Sequence, residues 1–217
     1  MRTVIFEPTS TAKSAHIFDS TLPSHPRCAL YLAAPNSHEL DGMYSAATAA
    51  DLFSTSLPWW PTIDALAIDS RFRDHVDQLA ARTDVDLSRS GMIQKAVSLL
   101  PYIPRLFVKL GEQGVVVVRL LAVGEKPHRS RESVVAEARE GGKVGGLEVR
   151  YFPAEKLGEH GVKSVNGAGD TFLGVLVAAA VRGLALEEAV GEAQKAAVLT
   201  LGEKEAVSAR IRPFRKL

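Results

Sequence analysis

The sequence predicts an α/β fold in which a mostly parallel sheet is covered by helices. Short runs of β-branched residues alternate along the chain with helical patterns, which is typical of βαβ units. The apolar runs are continuous rather than alternating, as expected for strands that are buried on both faces. With 217 residues, 46% of them hydrophobic, the chain can bury a sizeable core, and we expect residues 1–217 to form a single domain.

The individual elements follow from these patterns. Strands are expected at residues 3–6, 28–34, 106–110, 115–120 and 147–152. Helices are expected directly after Asn36, over 71–82 and 91–100, from about Gly169 onwards, and over 186–201. Pro58 and Pro61 predict an irregular segment over 54–62, and residues 124–146, rich in Arg, Glu and Gly, are expected to form a surface loop.

Composition argues against several classes of partner. The formal net charge is +1, so no polyanion-binding face is implied and we expect neither nucleic acid nor a membrane surface as partner. The longest nearly uncharged run, TFLGVLVAAAV, is far too short to span a bilayer. Cys28 is the single cysteine, which excludes a disulfide within the chain and fits a reducing, cytoplasmic compartment. It lies at the start of a predicted buried strand and is expected to be inert.

Residues 164–172, SVNGAGDTF, place three small residues before an acid and an apolar helix. The helix should therefore begin at Gly167–Gly169, where free N–H groups and a partial positive charge can hold an anion. The Asp170 carboxylate could accept a proton from a hydroxyl that attacks a phosphoryl group held by these amides. Alternatively, Asp170 is only a helix cap and the glycines only make a turn.

Two other phosphate-binding motifs are excluded by the same stretch. A dinucleotide fingerprint needs glycine where Phe172 stands, and a Walker A loop needs a Gly-Lys-Ser/Thr run that the chain lacks.

The stretch NGAGDTFLG resembles the C-terminal signature of the PfkB, or ribokinase-like, carbohydrate kinase family. Three further segments are similar to family motifs in order and spacing: APNSHEL, VKLGEQGVVVV and AAVLTLGEKEAVS. The resemblance implies a three-layer α/β/α sandwich that phosphorylates a small sugar or nucleoside with ATP and Mg²⁺. It also implies that Gly167, Ala168 and Gly169 form the anion hole and that Asp170 is the catalytic base.

The remaining motifs admit two interpretations each. The family's Asn-x-x-Glu motif falls on Asn36 and Glu39, which also form a good capping box; by resemblance Asn36 lies near the nucleotide and Glu39 reaches Mg²⁺ through water. By resemblance, the nucleotide lies against Gly111 and Gly114 and near Gln194. Without that resemblance, the two glycines would make a plain hairpin turn.

Two lysines are candidate phosphate or substrate contacts. Lys109 precedes the Gly-x-x-Gly turn, and Lys13 follows the first strand in EPTSTAKS, where polar residues face the ligand crevice of an α/β sheet. Each could instead be a solvated surface lysine. EPTSTAKS resembles the Pro-x-Ser-x-x-Lys segment of the pseudouridine kinase branch, which makes pseudouridine the preferred acceptor. Ser164 stands where many ribokinases have the first Asp of Asp-Thr-Thr, which helps to bind a monovalent cation, so the resemblance leaves potassium activation open.

The resemblance covers only the C-terminal portion of a family whose members have about 300 residues. The N-terminal strands, the substrate-gripping Asp and the β-lid have no counterpart here, so we expect a truncated form. Such a chain would complete its site with an upstream glycosidase or kinase part, or as a homo-oligomer, because its sheet would have an unpaired edge. The alternative function is a non-catalytic nucleotide-binding or scaffolding remnant.

Overall fold

A computed structural model describes residues 4–18, 23–24, 27–139, 142–157 and 161–212. The chain divides into two compact units, Met1–Phe152 and Pro153–Leu217. No helix in the described ranges is both long and apolar enough to cross a membrane.

The first unit is built on a six-stranded mixed sheet with the order β1-β2-β3-β4-β6-β5. Its strands are β1 (Val4–Phe6), β2 (Leu30–Ala33), β3 (Arg105–Lys109), β4 (Val115–Leu121), β5 (Ser133–Glu137) and β6 (Gly146–Phe152). β1, β2 and β3 are parallel, whereas β4 is antiparallel to β3 and β6, and β5 is antiparallel to β6. The α/β fold class is as predicted, but the sheet is mixed rather than mostly parallel, because β4, β5 and β6 join it through antiparallel pairings. β1 and β5 form the two edges of the sheet.

The described residues of this unit form the α-helices α1 (Thr11–Ala15), α2 (Ser37–Ala49), α3 (Trp60–Asp64), α4 (Ser70–Thr83) and α5 (Met92–Leu99). The three long ones match the predicted helices. Asp69 caps α4 by accepting a hydrogen bond from Phe72 N–H at 3.0 Å. The segment 54–62, expected to be irregular, instead ends in α3, because Pro61 at its start has the backbone angle that a first helical turn requires.

The main hydrophobic cluster of the first unit lies on one face of the sheet. Leu106, Val118 and Val149 occupy matching positions on β3, β4 and β6 and pack with buried residues of α2, α4 and α5. The indole Nε1 of Trp59 donates to the Tyr102 hydroxyl at 2.7 Å, which satisfies the polar atom of a buried aromatic side chain.

The predicted surface loop at 124–146 contains β5, which the sequence analysis missed. Part of the preceding segment is held by the fully buried carboxylate of Glu148 on β6. That carboxylate accepts hydrogen bonds from Arg119 Nε at 2.7 Å and from His128 N–H at 2.7 Å. A buried charge needs such partners, and here they come from β4 and from the loop itself.

The second unit contains α6 (Ala168–Val181) and α7 (Leu186–Leu201), which pack against each other. Gly183 ends α6 with a φ of +74°, and Leu184 N–H donates to Ala179 C=O at 3.1 Å. A left-handed glycine of this kind is typical of helix C-termini.

Candidate functional site

The N-terminus of α6 presents three backbone N–H groups without an acceptor. The first intrahelical hydrogen bond runs from Thr171 N–H to Gly167 C=O at 2.8 Å. The preceding N–H groups of Ala168, Gly169 and Asp170 donate to no residue in the described part of the chain, and Gly167 provides no side-chain cap. Open N–H groups at a helix N-terminus favour an anion.

Gly167 has two structural reasons to be glycine. Its φ is +76°, in the left-handed region that glycine adopts without strain. A Cβ at this position would also lie only 1.8 Å from the carbonyl oxygen of Ala206. The segment after α7 therefore lies directly against the start of α6, and no larger residue fits between them.

Asp170 is the third residue of α6 and is not its cap, because Gly167 occupies the cap position. Its side chain is exposed, and the carboxylate forms no hydrogen bond or ion pair with another described residue. Of the two interpretations drawn from the sequence, a plain capping role has no support in this geometry. A carboxylate without a partner, beside N–H groups that can bind an anion, is able to accept a proton.

Buried hydroxyl groups attach the segment after α7 to α6. The Oγ1 atoms of Thr171 and Thr200 are 3.1 Å apart, and Ser208 N–H donates to Thr200 Oγ1 at 3.2 Å. All three residues are buried. Because buried hydroxyl and N–H groups are costly to leave unpaired, this network holds residue 208 and its neighbours beside the N-terminus of α6.

Gln194, expected near a nucleotide, lies in the middle of α7. Its Nε2 donates to the carbonyl of Pro153 at 3.0 Å, which attaches the first residue of the second unit to α7. The bond gives Gln194 a structural role, and nucleotide contact by this residue stays a prediction.

Asn36 and Glu39 form the capping box of α2 that the sequence indicated. Asn36 Oδ1 accepts from Glu39 N–H at 2.9 Å, and Glu39 Oε2 accepts from Asn36 N–H at 2.8 Å. Glu39 is only 5% exposed. With Oε2 committed to the cap, Oε1 is left to bind a water, and the described ranges contain no cluster of three or more His, Cys, Asp or Glu side chains that could hold a metal.

Polar side chains from the ends of neighbouring strands meet in the first unit. Asn36 follows β2 and pairs as an isolated parallel bridge with Lys109, the last residue of β3. The Nζ of Lys109 forms an ion pair with the carboxylate of Glu7, which follows β1. The carboxyl ends of the three parallel strands thus form one polar edge, the usual ligand-binding location in an open α/β sheet.

The turn after β3 carries both glycines of the predicted hairpin. Gly111 and Gly114 have φ values of +61° and +97°, and Leu110 N–H donates to Gly114 C=O at 2.8 Å. Tyr151 OH donates to Gln113 C=O at 2.8 Å and supports the turn from β6. The antiparallel β3–β4 hairpin is as predicted.

Lys13 lies on the short helix α1, and its side chain is exposed. The helix is capped by Ser10, whose Oγ accepts from Lys13 N–H at 3.3 Å. No other phosphate-binding side chain is found beside Lys13 among the described residues. Its contact with a phosphate or substrate therefore stays a prediction.

Glu7 and Ala206 were not among the site residues predicted from the sequence. Glu7 could have been noticed because an acid directly after the first strand occupies the same edge as Asn36 and Lys109. Ala206 contributes through its backbone carbonyl, for which the sequence holds no signal.

Comparison with known proteins gives a family match over more than half of the chain. The family described as "pfkB family carbohydrate kinase" matches residues 86–211. A pseudouridine-metabolizing bifunctional protein of Schizosaccharomyces pombe is 30% identical over 214 residues, which are 98% of this chain and 27% of that protein.

Solved structures show the same fold at low identity. A probable sugar kinase from Rhizobium etli superposes with a TM-score of 0.54 at 12% identity, over 96% of this chain and 42% of that one. Ribokinase from Thermotoga maritima gives 0.50 at 21% identity, over 96% and 46% respectively. The chain therefore spans less than half the length of each of these three relatives.

The fold, together with the glycine at the N-terminus of α6, defines a protein of the ribokinase-like α/β class. The chain belongs to the pfkB carbohydrate kinase family, whose match includes the whole of α6 and α7.

Proposed function

We propose that this chain is the nucleotide- and phosphate-binding part of a kinase that transfers a phosphoryl group from ATP to a primary hydroxyl of a sugar or nucleoside. The observation that carries the proposal is the first turn of α6. Within three consecutive residues it carries three N–H groups and the Asp170 carboxylate, none of which has a hydrogen-bond partner among the described residues. Family membership supports the same reaction class.

Phosphoryl transfer requires electrostatic stabilisation and a group that takes the acceptor proton. The N–H groups of Ala168, Gly169 and Asp170 would hold the phosphoryl oxygens. The Asp170 carboxylate would accept the proton of the attacking hydroxyl. Gly167 permits both, because a side chain there would displace the segment at Ala206.

The polar edge of the first unit, formed at the carboxyl ends of β1, β2 and β3, would bind the nucleotide. In this assignment, Gly111 and Gly114 allow close approach of the nucleotide to the backbone, and Lys109 and Asn36 lie beside its phosphates. Gln194 and Lys13 are the remaining proposed contacts to nucleotide and substrate phosphate.

Magnesium fits these residues only as a water-mediated partner of Glu39. One oxygen of that carboxylate is committed to the α2 cap, and Mg²⁺ retains several waters when it binds nucleotide phosphates. When bound, the ion would neutralise phosphate charge, while Glu39 would orient its water shell.

Pseudouridine is the proposed acceptor. Support comes from the fission yeast relative, whose name describes pseudouridine metabolism, and from the segment EPTSTAKS. The parts that would bind the acceptor are expected from an upstream kinase or glycosidase segment, or from a second copy of the chain. A soluble cytoplasmic location fits such a substrate.

Calorimetric titration of the 217-residue chain with MgATP and MgADP tests the proposal. We expect binding in the micromolar to millimolar range that is lost in Gly167→Ala and kept in Gly183→Ala. Heat that is absent up to millimolar nucleotide contradicts the proposal. Nucleotide binding without phosphorylation of pseudouridine or ribose, even when an N-terminal kinase part is supplied, favours the alternative of a non-catalytic nucleotide-binding remnant.

A further inference from the structure

A groove lies within the first unit between α4 and the edge strand β5. Its volume is about 230 Å³. The lining residues are His75, Gln78, Arg82, Arg129, Ser130, Ser133, Val134 and Val135. The three from α4 are spaced three and four residues apart, so they lie on one face of that helix.

The side chains of this groove carry positive charge and no negative charge. His75, Arg82 and Arg129 are basic, and none of the eight lining residues is acidic. The guanidinium of Arg82 is positioned by a hydrogen bond from Nη2 to the carbonyl of Arg131 at 2.9 Å. Arg129 pairs with Glu137 outside the groove, but both side chains of that pair are about two thirds exposed, at 67% and 68%. An exposed pair of this kind is weak and can be replaced by another anion.

The backbone of β5 adds a hydrogen-bonding pair to the groove. In an antiparallel ladder, residues alternate between bonding to the neighbouring strand and pointing away from it. Tyr151 N–H donates to Glu132 C=O at 2.8 Å, and Ala138 N–H donates to Gly145 C=O at 3.1 Å, which fixes the alternation at both ends of β5. The N–H and C=O of Val135 consequently point away from β6.

The outward side of β5 is occupied on both sides of Val135 but not at Val135 itself. Glu137 C=O accepts from Ala67 N–H at 3.1 Å, and Ser133 N–H donates to Ser130 C=O at 3.4 Å. Within the described part of the chain, neither backbone group of Val135 has a hydrogen-bond partner. The groove therefore combines one donor and one acceptor with two guanidinium groups.

We propose that the α4–β5 groove is a binding site for a small phosphorylated molecule. The kinase reaction proposed above does not need this site. The phosphate binds Arg82 and Arg129, whose planar donors form charge-assisted, bidentate hydrogen bonds with phosphate oxygens. His75 and Gln78 supply further donors. The Val135 N–H and C=O bind hydroxyl or amide groups on the rest of the molecule.

The open backbone is too short for the other obvious occupant, an extended acidic peptide. A peptide that adds a strand to a sheet needs several consecutive free backbone groups on the edge. Here Ser133 N–H and Glu137 C=O are already engaged, so the open stretch of edge is confined to the backbone between these two groups. The volume of about 230 Å³ also suits a sugar phosphate better than a peptide.

Residue-resolved NMR titration of the 217-residue chain with ribose 5-phosphate tests the site. Amide signals of Val135 and Ser133 should shift with a dissociation constant below about 1 mM, and unphosphorylated ribose should leave them unchanged. Inorganic phosphate is a third probe and should bind more weakly than ribose 5-phosphate. The Val135 signal separates this groove from the N-terminus of α6, which can also hold phosphate.

Matched arginine variants decide between this site and general charge attraction. Arg82→Gln and Arg129→Gln should each weaken the Val135 response at least about fivefold. Arg73→Gln removes the same charge from α4 without lining the groove and should have no effect. Arg129→Gln changes only an exposed pair, so its fold is preserved even if Arg82→Gln loosens the loop at Arg131.

The following outcomes overturn the proposal. The Val135 amide shows no shift up to millimolar ribose 5-phosphate, or ribose shifts it equally, or both groove variants bind as tightly as Arg73→Gln. A shift produced by an acidic peptide but not by ribose 5-phosphate equally contradicts a small-molecule site.

Discussion

Lys109, the last residue of β3, forms an ion pair with Glu7, the residue directly after β1, across 102 positions of sequence. Their side chains are only 15% and 16% exposed. Asn36 follows β2, the strand between β1 and β3, and bridges to Lys109. The pair therefore ties the outer and inner parallel strands together at the edge of the sheet where we propose that nucleotide phosphates bind.

Removing one partner of this pair should destabilise the first unit. Glu7→Gln leaves the Lys109 ammonium partly buried without its carboxylate, which should cost about 1–3 kcal/mol in the free energy of unfolding. The exposed pair of Arg129 and Glu137 is the control, and Arg129→Gln should cost less than about 1 kcal/mol. Urea denaturation of the two variants measures both values.

The double variant Glu7→Gln/Lys109→Met adds a check on this prediction. It removes both charges and should recover part of the stability that Glu7→Gln alone loses. Equal costs for Glu7→Gln and Arg129→Gln would show that burial does not strengthen the Glu7–Lys109 pair.

Gly167→Ala separates the two constraints on the start of α6. The φ of +76° is expected to cost about 1–2 kcal/mol for any residue with a Cβ. The contact with the Ala206 carbonyl, 1.8 Å from the new Cβ, must add a further cost because backbone has to move. Gly183→Ala is a close control, since its φ is +74° and its Cβ would meet nothing within 4 Å.

Chemical denaturation of both glycine variants should therefore show Gly167→Ala to be less stable than Gly183→Ala by about 1–3 kcal/mol. Similar stability for the two variants would mean that the segment at Ala206 moves away from α6 at little cost.

The sequence predicted the elements with strong periodicity and missed those that depend on tertiary contacts. Helix α7 was expected over the same residues that the structure shows, because a long run of good helix formers is bounded by a change in pattern. Strand β5 has only two buried residues among charged neighbours, and it becomes a strand by pairing with β6.

The candidate site shows the same division. Gly167, Asp170, Asn36 and Glu39 stand in local motifs that can be read along the chain. The Glu7–Lys109 pair and the Ala206 carbonyl beside Gly167 depend on how distant segments meet, which local patterns do not encode.

Cys28 should react slowly with alkylating reagents in the folded chain. Burial raises the pKa of its thiol to about 11, with some opposition from a backbone hydrogen bond, and its Sγ donates to Pro101 C=O at 3.2 Å. Because only the thiolate reacts, the native rate at about pH 8 should be roughly 100-fold below that of the urea-unfolded chain.

The pH dependence of iodoacetamide labelling checks the direction of this shift. The native rate should rise about tenfold per pH unit up to about pH 10, since the thiol stays protonated below its raised pKa. A rate that levels off near pH 9 would contradict a raised pKa for Cys28.

Asp170→Asn tests the proposed proton acceptor. The substitution removes the carboxylate charge while keeping the size of the side chain, and the Asp170 carboxylate forms no hydrogen bond or ion pair with another described residue. Melting temperature should therefore change little. Nucleotide affinity of the 217-residue chain should stay the same or improve slightly, because a negative charge near the phosphates is removed.

Turnover is the measurement that shows whether Asp170 acts as the catalytic base. In an enzyme completed with the N-terminal part of a PfkB kinase, Asp170→Asn should lower kcat by about two to four orders of magnitude, the usual effect of losing a positioned general base. Asp69→Asn makes the same chemical change at a carboxylate that only caps α4, where the Phe72 N–H lowers its pKa, and should leave kcat within about twofold. If both variants keep nearly full kcat, then Asp170 is not the base, and the open N–H groups of α6 would hold a phosphate without taking a proton from the acceptor hydroxyl.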